Sequence, residues 1–129
     1  MSDKSVLSGL RVLVVEDEAL VAMLVEDMLT DLGCTVVGPM ADLDEALAAV
    51  HEAEIDCAVL DVNLAGKPIF PVADALKARG VPFAFASGYG EAGVREDHRS
   101  APVLQKPFRE ADLARALGEL AAVHAAKAG

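Results

Sequence analysis

The sequence predicts a single α/β domain: a doubly wound sheet of five parallel strands, covered by helices on both faces. Three observations predict it. Short apolar runs alternate with longer segments of helical periodicity along the whole chain. The run Cys57 to Asp61 is apolar up to its last residue without alternation, as a strand buried on both faces must be. Polar groups suited to metal and phosphate chemistry follow the ends of several strands, where the working site of such a sheet lies.

Taken in order, Arg11 to Val15 reads as a first strand. Ala19 to Leu32 is a helix with Leu20, Leu24, Met28 and Leu32 at i, i+4 spacing, closed by Gly33. Thr35 to Val37 is a second strand, ended by Gly38-Pro39. Asp42-Leu43-Asp44-Glu45 resembles a capping box and opens a helix that buries Leu43, Leu47 and Val50. After the third strand at Cys57 to Asp61, a helix runs from about Pro71 to Arg79, the proline being tolerable in its first turn. Phe83 to Ala86 is the fourth strand. Gly90 to Arg99 is polar and carries glycine, so a helix there is short and loose. Val103 to Gln105 is the fifth strand, and Glu110 to Ala126 a last helix burying Leu113, Leu117 and Leu120.

Composition bounds the function. At 129 residues, 53% hydrophobic and 25% charged, the chain suits one globular domain with no second unit. A net charge of −10 repels phosphodiester backbones and anionic membranes, so neither nucleic acid nor a membrane is an expected partner. No apolar run approaches the ~20 residues of a membrane span, and no signal-type segment opens the chain, so a cytoplasmic location is expected. Cys34 and Cys57 lie in apolar runs without a CxxC pattern or a His pair, and are expected to be buried free thiols. His51, His98 and His124 fall in polar helical contexts and are expected at the surface.

The chemistry concentrates at strand ends. Asp61 ends a buried run, where a carboxylate is costly unless solvated, paired or bound to metal. Glu16 and Asp17 hold the equivalent place on the first strand, Ser87 on the fourth and Lys106 on the fifth. If the first and third strands are neighbours, three carboxylates converge. At ~4 Å and an effective dielectric of ~20, each like-charged pair costs on the order of 4 kcal/mol before relaxation. A divalent cation relieves this, and all-oxygen donors suit Mg²⁺. Singly, each feature has an ordinary explanation as a helix start, a strand-end cap or a turn. In this order along one sheet end, they describe a carboxylate nucleophile placed to attack a phosphoryl donor.

Val12-Leu13-Val14-Val15-Glu16-Asp17-Glu18, Val59-Leu60-Asp61-Val62-Asn63-Leu64, Phe85-Ala86-Ser87-Gly88 and Leu104-Gln105-Lys106-Pro107-Phe108 resemble the four signature blocks of the response-regulator receiver family. The resemblance spans essentially the whole chain. It implies the flavodoxin-like strand order 2-1-3-4-5 and a phosphoacceptor at Asp61. It further implies Mg²⁺ (or Mn²⁺) bound by Asp17, Asp61 and the main-chain carbonyl of Asn63, with Glu16 orienting a metal-bound water. Ser87 would hydrogen-bond the phosphoryl group, Lys106 would pair with Asp61 or a phosphoryl oxygen, and Lys106-Pro107 would be cis. The implied partner is a histidine kinase or phosphotransfer protein, met by a monomer or weak homodimer.

Three positions depart from the common family pattern. Ala65 replaces a proline, Ile69 a glycine, and Val103 the aromatic residue of the fifth strand that serves as a switch. Phe83-Ala84-Phe85-Ala86-Ser87-Gly88-Tyr89 resembles the single-domain FATGUY subgroup associated with HWE-type histidine kinases. With no ring at Val103, Ser87 and Tyr89 are the candidate switch residues. Two other functions use similar parts. A haloacid-dehalogenase-like phosphohydrolase also combines a strand-end Asp with Mg²⁺, but wants its DxD on the first strand. A pseudo-receiver would bind partners without phosphorylation.

Overall fold

The computed structural model of the chain describes residues 7–64, 66–88 and 101–128, with the backbone alone at 63 and 124–128. Its elements are β1 (Arg11–Val15), α1 (Ala19–Asp31), β2 (Thr35–Met40), α2 (Leu43–Glu52) and β3 (Cys57–Asp61). A short pair follows, β4 (Asn63–Leu64) and β5 (Lys67–Pro68), then α3 (Phe70–Ala78), β6 (Phe83–Ser87), β7 (Val103–Gln105) and α4 (Glu110–Ala128). The main sheet is parallel throughout, in the order β2-β1-β3-β6-β7. Counting only its own strands in chain order, this is the expected 2-1-3-4-5. The helix anticipated between Gly90 and Arg99, with His98 and the switch candidate Tyr89, lies outside the described residues.

Side chains alternate across the sheet because successive Cβ atoms point to opposite faces. Val12, Val14, Cys57, Val59, Ala84 and Ala86 form one apolar face, packed by Val25 and Leu29 of α1 and by Leu113, Leu117 and Leu120 of α4. Leu13, Val15, Ala58, Leu60, Phe83 and Phe85 form the other, packed by Ala46, Ala49 and Val50 of α2 and by Val72 and Leu76 of α3. β3 is buried at every position, as its uninterrupted apolar run requires. Phe85 stands edge-on to both Phe70 and Phe83, with centroids 6.1 and 5.4 Å away, the arrangement ring quadrupoles favour.

Local chemistry sets the ends. Asp42 caps α2 by accepting a hydrogen bond from the Glu45 amide at 2.8 Å, while Glu45 Oε1 accepts from Ala41 N at 3.3 Å, so the reciprocal arm of the expected box reaches one residue further out. α1 ends at Gly33, with positive φ; Cys34 N donates to Leu29 O and Gly33 N to Thr30 O, a Schellman closure. At the far rim of the sheet, Arg11 grips Asp56 with its backbone amide (2.8 Å), Nε (3.1 Å) and Nη2 (2.9 Å), and also meets Glu54. Those bonds raise the Arg11 pKa, the Asp56 contact contributing most. Both cysteines are free: Cys57 is buried on β3 as expected, whereas Cys34, just before β2, is only half-buried, and burial raises the pKa of each thiol. His51 is exposed as expected.

Two expectations need correction. β2 does not stop at Gly38-Pro39 but runs to Met40, through a register shift in which Val15 pairs with Met40. Gly38 absorbs the irregularity at φ 108, and the Lys106-Pro107 and Gly38-Pro39 bonds are both cis. The buried face of α1 is Ala22, Val25 and Leu29 with Leu32 beyond it, whereas Leu20 and Leu24 face outward. In the segment after Asp61, which had no assigned element, β4 and β5 pair antiparallel, and Ile69, fully buried, donates its amide to Val62 O. Ile69 therefore fills the core beneath this hairpin.

A Cβ on Gly38 would stand 2.8 Å from Met40 N and 3.0 Å from Val14 O, both backbone atoms that cannot give way without breaking the ladder. Positive φ adds strain for any other residue. Gly38→Ala is expected to cost about 3 kcal/mol, read as a lowered urea midpoint at unchanged slope; a midpoint within error of wild type would contradict it.

Candidate functional site

Four chain segments meet at the carboxyl end of the sheet. β1 delivers Glu16 and Asp17, β3 ends on Asp61, β6 on Ser87, and β7 leads directly into Lys106. The backbone holds these ends in register: Glu16 N donates to Met40 O (3.0 Å), Val62 N to Ala86 O (3.1 Å), and Lys106 N to Ser87 O (2.9 Å). Glu16, Asp61 and Ser87 are buried polar residues in an otherwise apolar core. Such burial of charge is stable only with partners.

The partners are present. Glu16, Asp17 and Asp61 each offer a carboxylate oxygen, and these three atoms lie within 4.8 Å of one another. Lys106 Nζ bonds Glu16 Oε1 at 2.8 Å and lies 3.3 Å from Asp61 Oδ1. Glu16 Oε2 accepts the Glu18 amide at 3.2 Å, which fixes the carboxylate on the first turn after β1. Burial, then the neighbouring Glu16 carboxylate, push the Asp61 pKa up to about 7, against the opposing pull of Lys106. Burial alone would lower the Lys106 pKa, but the Glu16 hydrogen bond and the Asp61 charge outweigh it and the net shift is upward.

Three oxygen donors on two strands, with one face open to solvent at Asp17, are the donor set a hard divalent cation takes while keeping its waters. The residues therefore fit Mg²⁺. Lys106 Nζ lies within reach of both Glu16 and Asp61, so negative charge arriving at Asp61 would be met by this ammonium and by a cation held among the acids.

The structure brings together Glu16, Asp17, Asp61, Ser87 and Lys106 as the sequence suggested. Asn63 follows two residues after Asp61 at the start of the hairpin, its backbone paired with Pro68. The direct Glu16–Lys106 pair was not legible, because two residues 90 apart in the chain carry no signal of contact. Also missed was the exposed apolar lip beside the site, formed by α1 and the Lys106-Pro107-Phe108 turn. Its signal was present: α1 carries two apolar stripes, and only one can face the sheet.

A parallel five-stranded sheet with an acidic cluster, a terminal Asp and a Lys at its carboxyl end is the plan of a family of signalling domains rather than of metabolic enzymes. The chain belongs to the response regulator receiver domain family, whose model matches residues 12–118. It is 30% identical over 107 residues to the transcriptional regulatory protein PdtaR of Mycobacterium tuberculosis, covering 80% of this chain and 52% of that protein. It thus spans about half the length of that curated relative. The solution structure of SdrG from Sphingomonas melonis Fr1 matches at 45% identity and TM-score 0.79, over 93% of this chain and 98% of that one. A solution structure of SdrG from Pseudomonas melonis Fr1 in a BeF3-activated conformation matches at 47% identity and TM-score 0.74, over 88% and 98%. The receiver domain of the sensor histidine kinase PA1611 from Pseudomonas aeruginosa, with a magnesium ion coordinated in its active-site cleft, matches at 25% identity and TM-score 0.74, over 89% and 99%. Among the described residues, no helix is long and apolar enough to cross a membrane.

Proposed function

We propose that the chain is a single receiver domain that accepts a phosphoryl group on Asp61 in a Mg²⁺-dependent reaction. The observation that carries this is the position of Asp61: buried at the end of β3, 3.3 Å from Lys106 Nζ and within one ion's reach of Glu16 and Asp17. The BeF3-activated state of SdrG and the magnesium-bound PA1611 receiver support it by likeness.

An ionised Asp61 oxygen attacks phosphorus in line, the new P–O bond forms as the donor's bond breaks, and the donor group leaves with the electron pair. Asp17, Asp61 and the Asn63 carbonyl would hold the ion, with Glu16 reaching it through water. A divalent ion there supplies charge neutralisation at the transferring group. Lys106 can exchange Glu16 for a phosphoryl oxygen, and Ser87 at the end of β6 donates to another. Tyr89, next along the chain from Gly88, is the proposed switch in place of the ring that Val103 lacks.

The donor would be a histidine kinase or phosphotransfer protein in the cytoplasm, the HWE type following from the Phe83–Tyr89 likeness alone. Output would pass by protein contact or as phosphate drained from the kinase. Acetyl phosphate with Mg²⁺ is expected to add one acid-labile phosphoryl group to wild type and none to Asp61→Asn, read by intact mass. Equal labelling of the two proteins, or labelling insensitive to chelation, would sink the assignment.

A further inference from the structure

Val62 stands between Asp61 and Asn63, two of the residues assigned to the cation, and its backbone is held on both sides. Its N–H donates to Ala86 O at 3.1 Å, which ties it to β6, and its carbonyl accepts from Ile69 N at 3.0 Å. Ile69 is itself anchored. Its carbonyl accepts from Val72 N at 2.9 Å and from Ala73 N at 3.3 Å in the first turn of α3. Its side chain is fully buried in the core cluster that also holds Leu60, Leu64, Val72 and Leu76. One residue thus joins the β4–β5 hairpin, the start of α3 and the core. A side chain without bulk at this position would offer no such anchor.

The register of the hairpin decides where the Asn63 carbonyl points. Asn63 pairs with Pro68, and Leu64 with Lys67. Opposed residues in an antiparallel ladder alternate between bonded and non-bonded pairs. The bond from Ile69 N to Val62 O lies one residue outside the Asn63–Pro68 pair, which makes that pair the non-bonded kind. The N–H and C=O of Asn63 therefore point away from β5, and the ladder does not consume the carbonyl. The same register explains why Pro68, with no N–H to give, costs the pairing nothing. Leu64 and Ile69, which flank the pair, are both buried and pin the hairpin to the core from its two strands.

We propose that Ile69 is a positioning residue for the cation: its buried side chain holds its amide against Val62 O, and this fixes the Asn63 carbonyl relative to the Asp61 carboxylate. In this it rests on the metal-dependent reading above and adds what sets the third donor in place. An alanine at this position keeps the amide but loses the anchor, so the carbonyl would range over several positions. Mg²⁺ demands near-ideal octahedral geometry, whereas Ca²⁺ accepts flexible ligands. A loosened hairpin therefore costs Mg²⁺ more than Ca²⁺, a difference that lost stability alone does not produce.

The test is isothermal calorimetry of the metal-free full chain with Mg²⁺ and with Ca²⁺, at a temperature where circular dichroism shows each variant folded. Ile69→Ala is expected to raise the Mg²⁺ Kd about tenfold, the low end of what removing a ligand's support costs, and the Ca²⁺ Kd by no more than about threefold. Ile69→Val should restore wild-type binding. Leu64→Ala removes the other anchor and should repeat the effect, which keeps the test open if Ile69→Ala does not fold. Leu76→Ala, an equal truncation in the same cluster on α3, should lower the urea midpoint and leave both Kd values unchanged. In a ¹³C-labelled sample, Mg²⁺ should move the carbonyl resonance of Asn63 in wild type and far less in Ile69→Ala. Unchanged Mg²⁺ binding in Ile69→Ala, equal losses for the two ions, or the same loss in Leu76→Ala would overturn the role given to Ile69 and leave the metal site standing. Wild type that binds no Mg²⁺ would sink the metal site and this role with it.

Discussion

Metal-free protein is expected to lose stability as pH rises from about 4 to about 7, and Asp61→Asn is expected to remove that loss. In the folded chain, Asp61 keeps its proton up to about pH 7 because it is buried against Glu16. In the unfolded chain a carboxyl releases it near ~3.9. The folded state therefore binds the proton more tightly between these values. The stability this confers is fully present below the unfolded pKa and is lost as pH rises through the folded one. At ~1.4 kcal/mol for each tenfold difference in proton affinity, the upper bound is about 4 kcal/mol. Other carboxylates add their own slopes, so the informative quantity is the difference between wild type and Asp61→Asn. It should be near zero at pH 4 and favour Asn increasingly to pH 8, measured by urea unfolding in chelator. Saturating Mg²⁺ should close much of the gap, since ligand at 100 times its Kd stabilises the native state by about 2.7 kcal/mol. Asp17→Asn should blunt that response. Parallel pH profiles for the two proteins would mean that Asp61 carries no excess proton affinity.

The same residues show how far the sequence could be read. The sheet was legible because β1, β3 and β6 carry unbroken apolar runs, and parallel strands buried on both faces leave no other pattern. The site was legible because its parts sit at strand ends, a place that topology fixes before any side chain is placed. α1 was misjudged in its orientation. Leu20, Leu24, Met28 and Leu32 make as good a stripe as Ala22, Val25, Leu29 and Leu32, and propensity does not say which faces inward. Tertiary packing decides, and the small Ala22 allows close approach to the sheet. The run through Gly38-Pro39 was misjudged for a different reason. Those residues usually end a strand, yet on the edge strand β2 a glycine at positive φ lets the ladder shift register and continue. The β4–β5 pair was too short to leave any periodic trace.

Lys106→Met is expected to destabilise the metal-free protein by about 3 kcal/mol at pH 8 while tightening its grip on Mg²⁺ about tenfold. Lys106 is bonded to Glu16 and adjacent to Asp61, so its ammonium occupies the position of a counter-ion between the two carboxylates. Its own pKa is raised, which keeps it charged beyond the ordinary lysine value and confines any loss of its contribution to strongly alkaline pH. Removing one member of a buried charge set typically costs ~3–5 kcal/mol, because the others stay buried without it. Here Asp61 can retain its proton, which holds the loss toward the lower end. The penalty should therefore fade as pH drops to about 4, where the carboxyl is neutral in any case. Metal binding responds in the opposite sense. A cation approaching wild type meets three acids and one ammonium; in the variant it meets the acids alone, at separations where one charge is worth several kcal/mol before screening. Lys106→Arg keeps the charge and should keep both wild-type properties. Isothermal calorimetry with Mg²⁺ and urea unfolding at pH 4 and pH 8 separate these effects. Unchanged or weaker Mg²⁺ binding in Lys106→Met would show that the ammonium does not compete for the oxygens of Glu16 and Asp61.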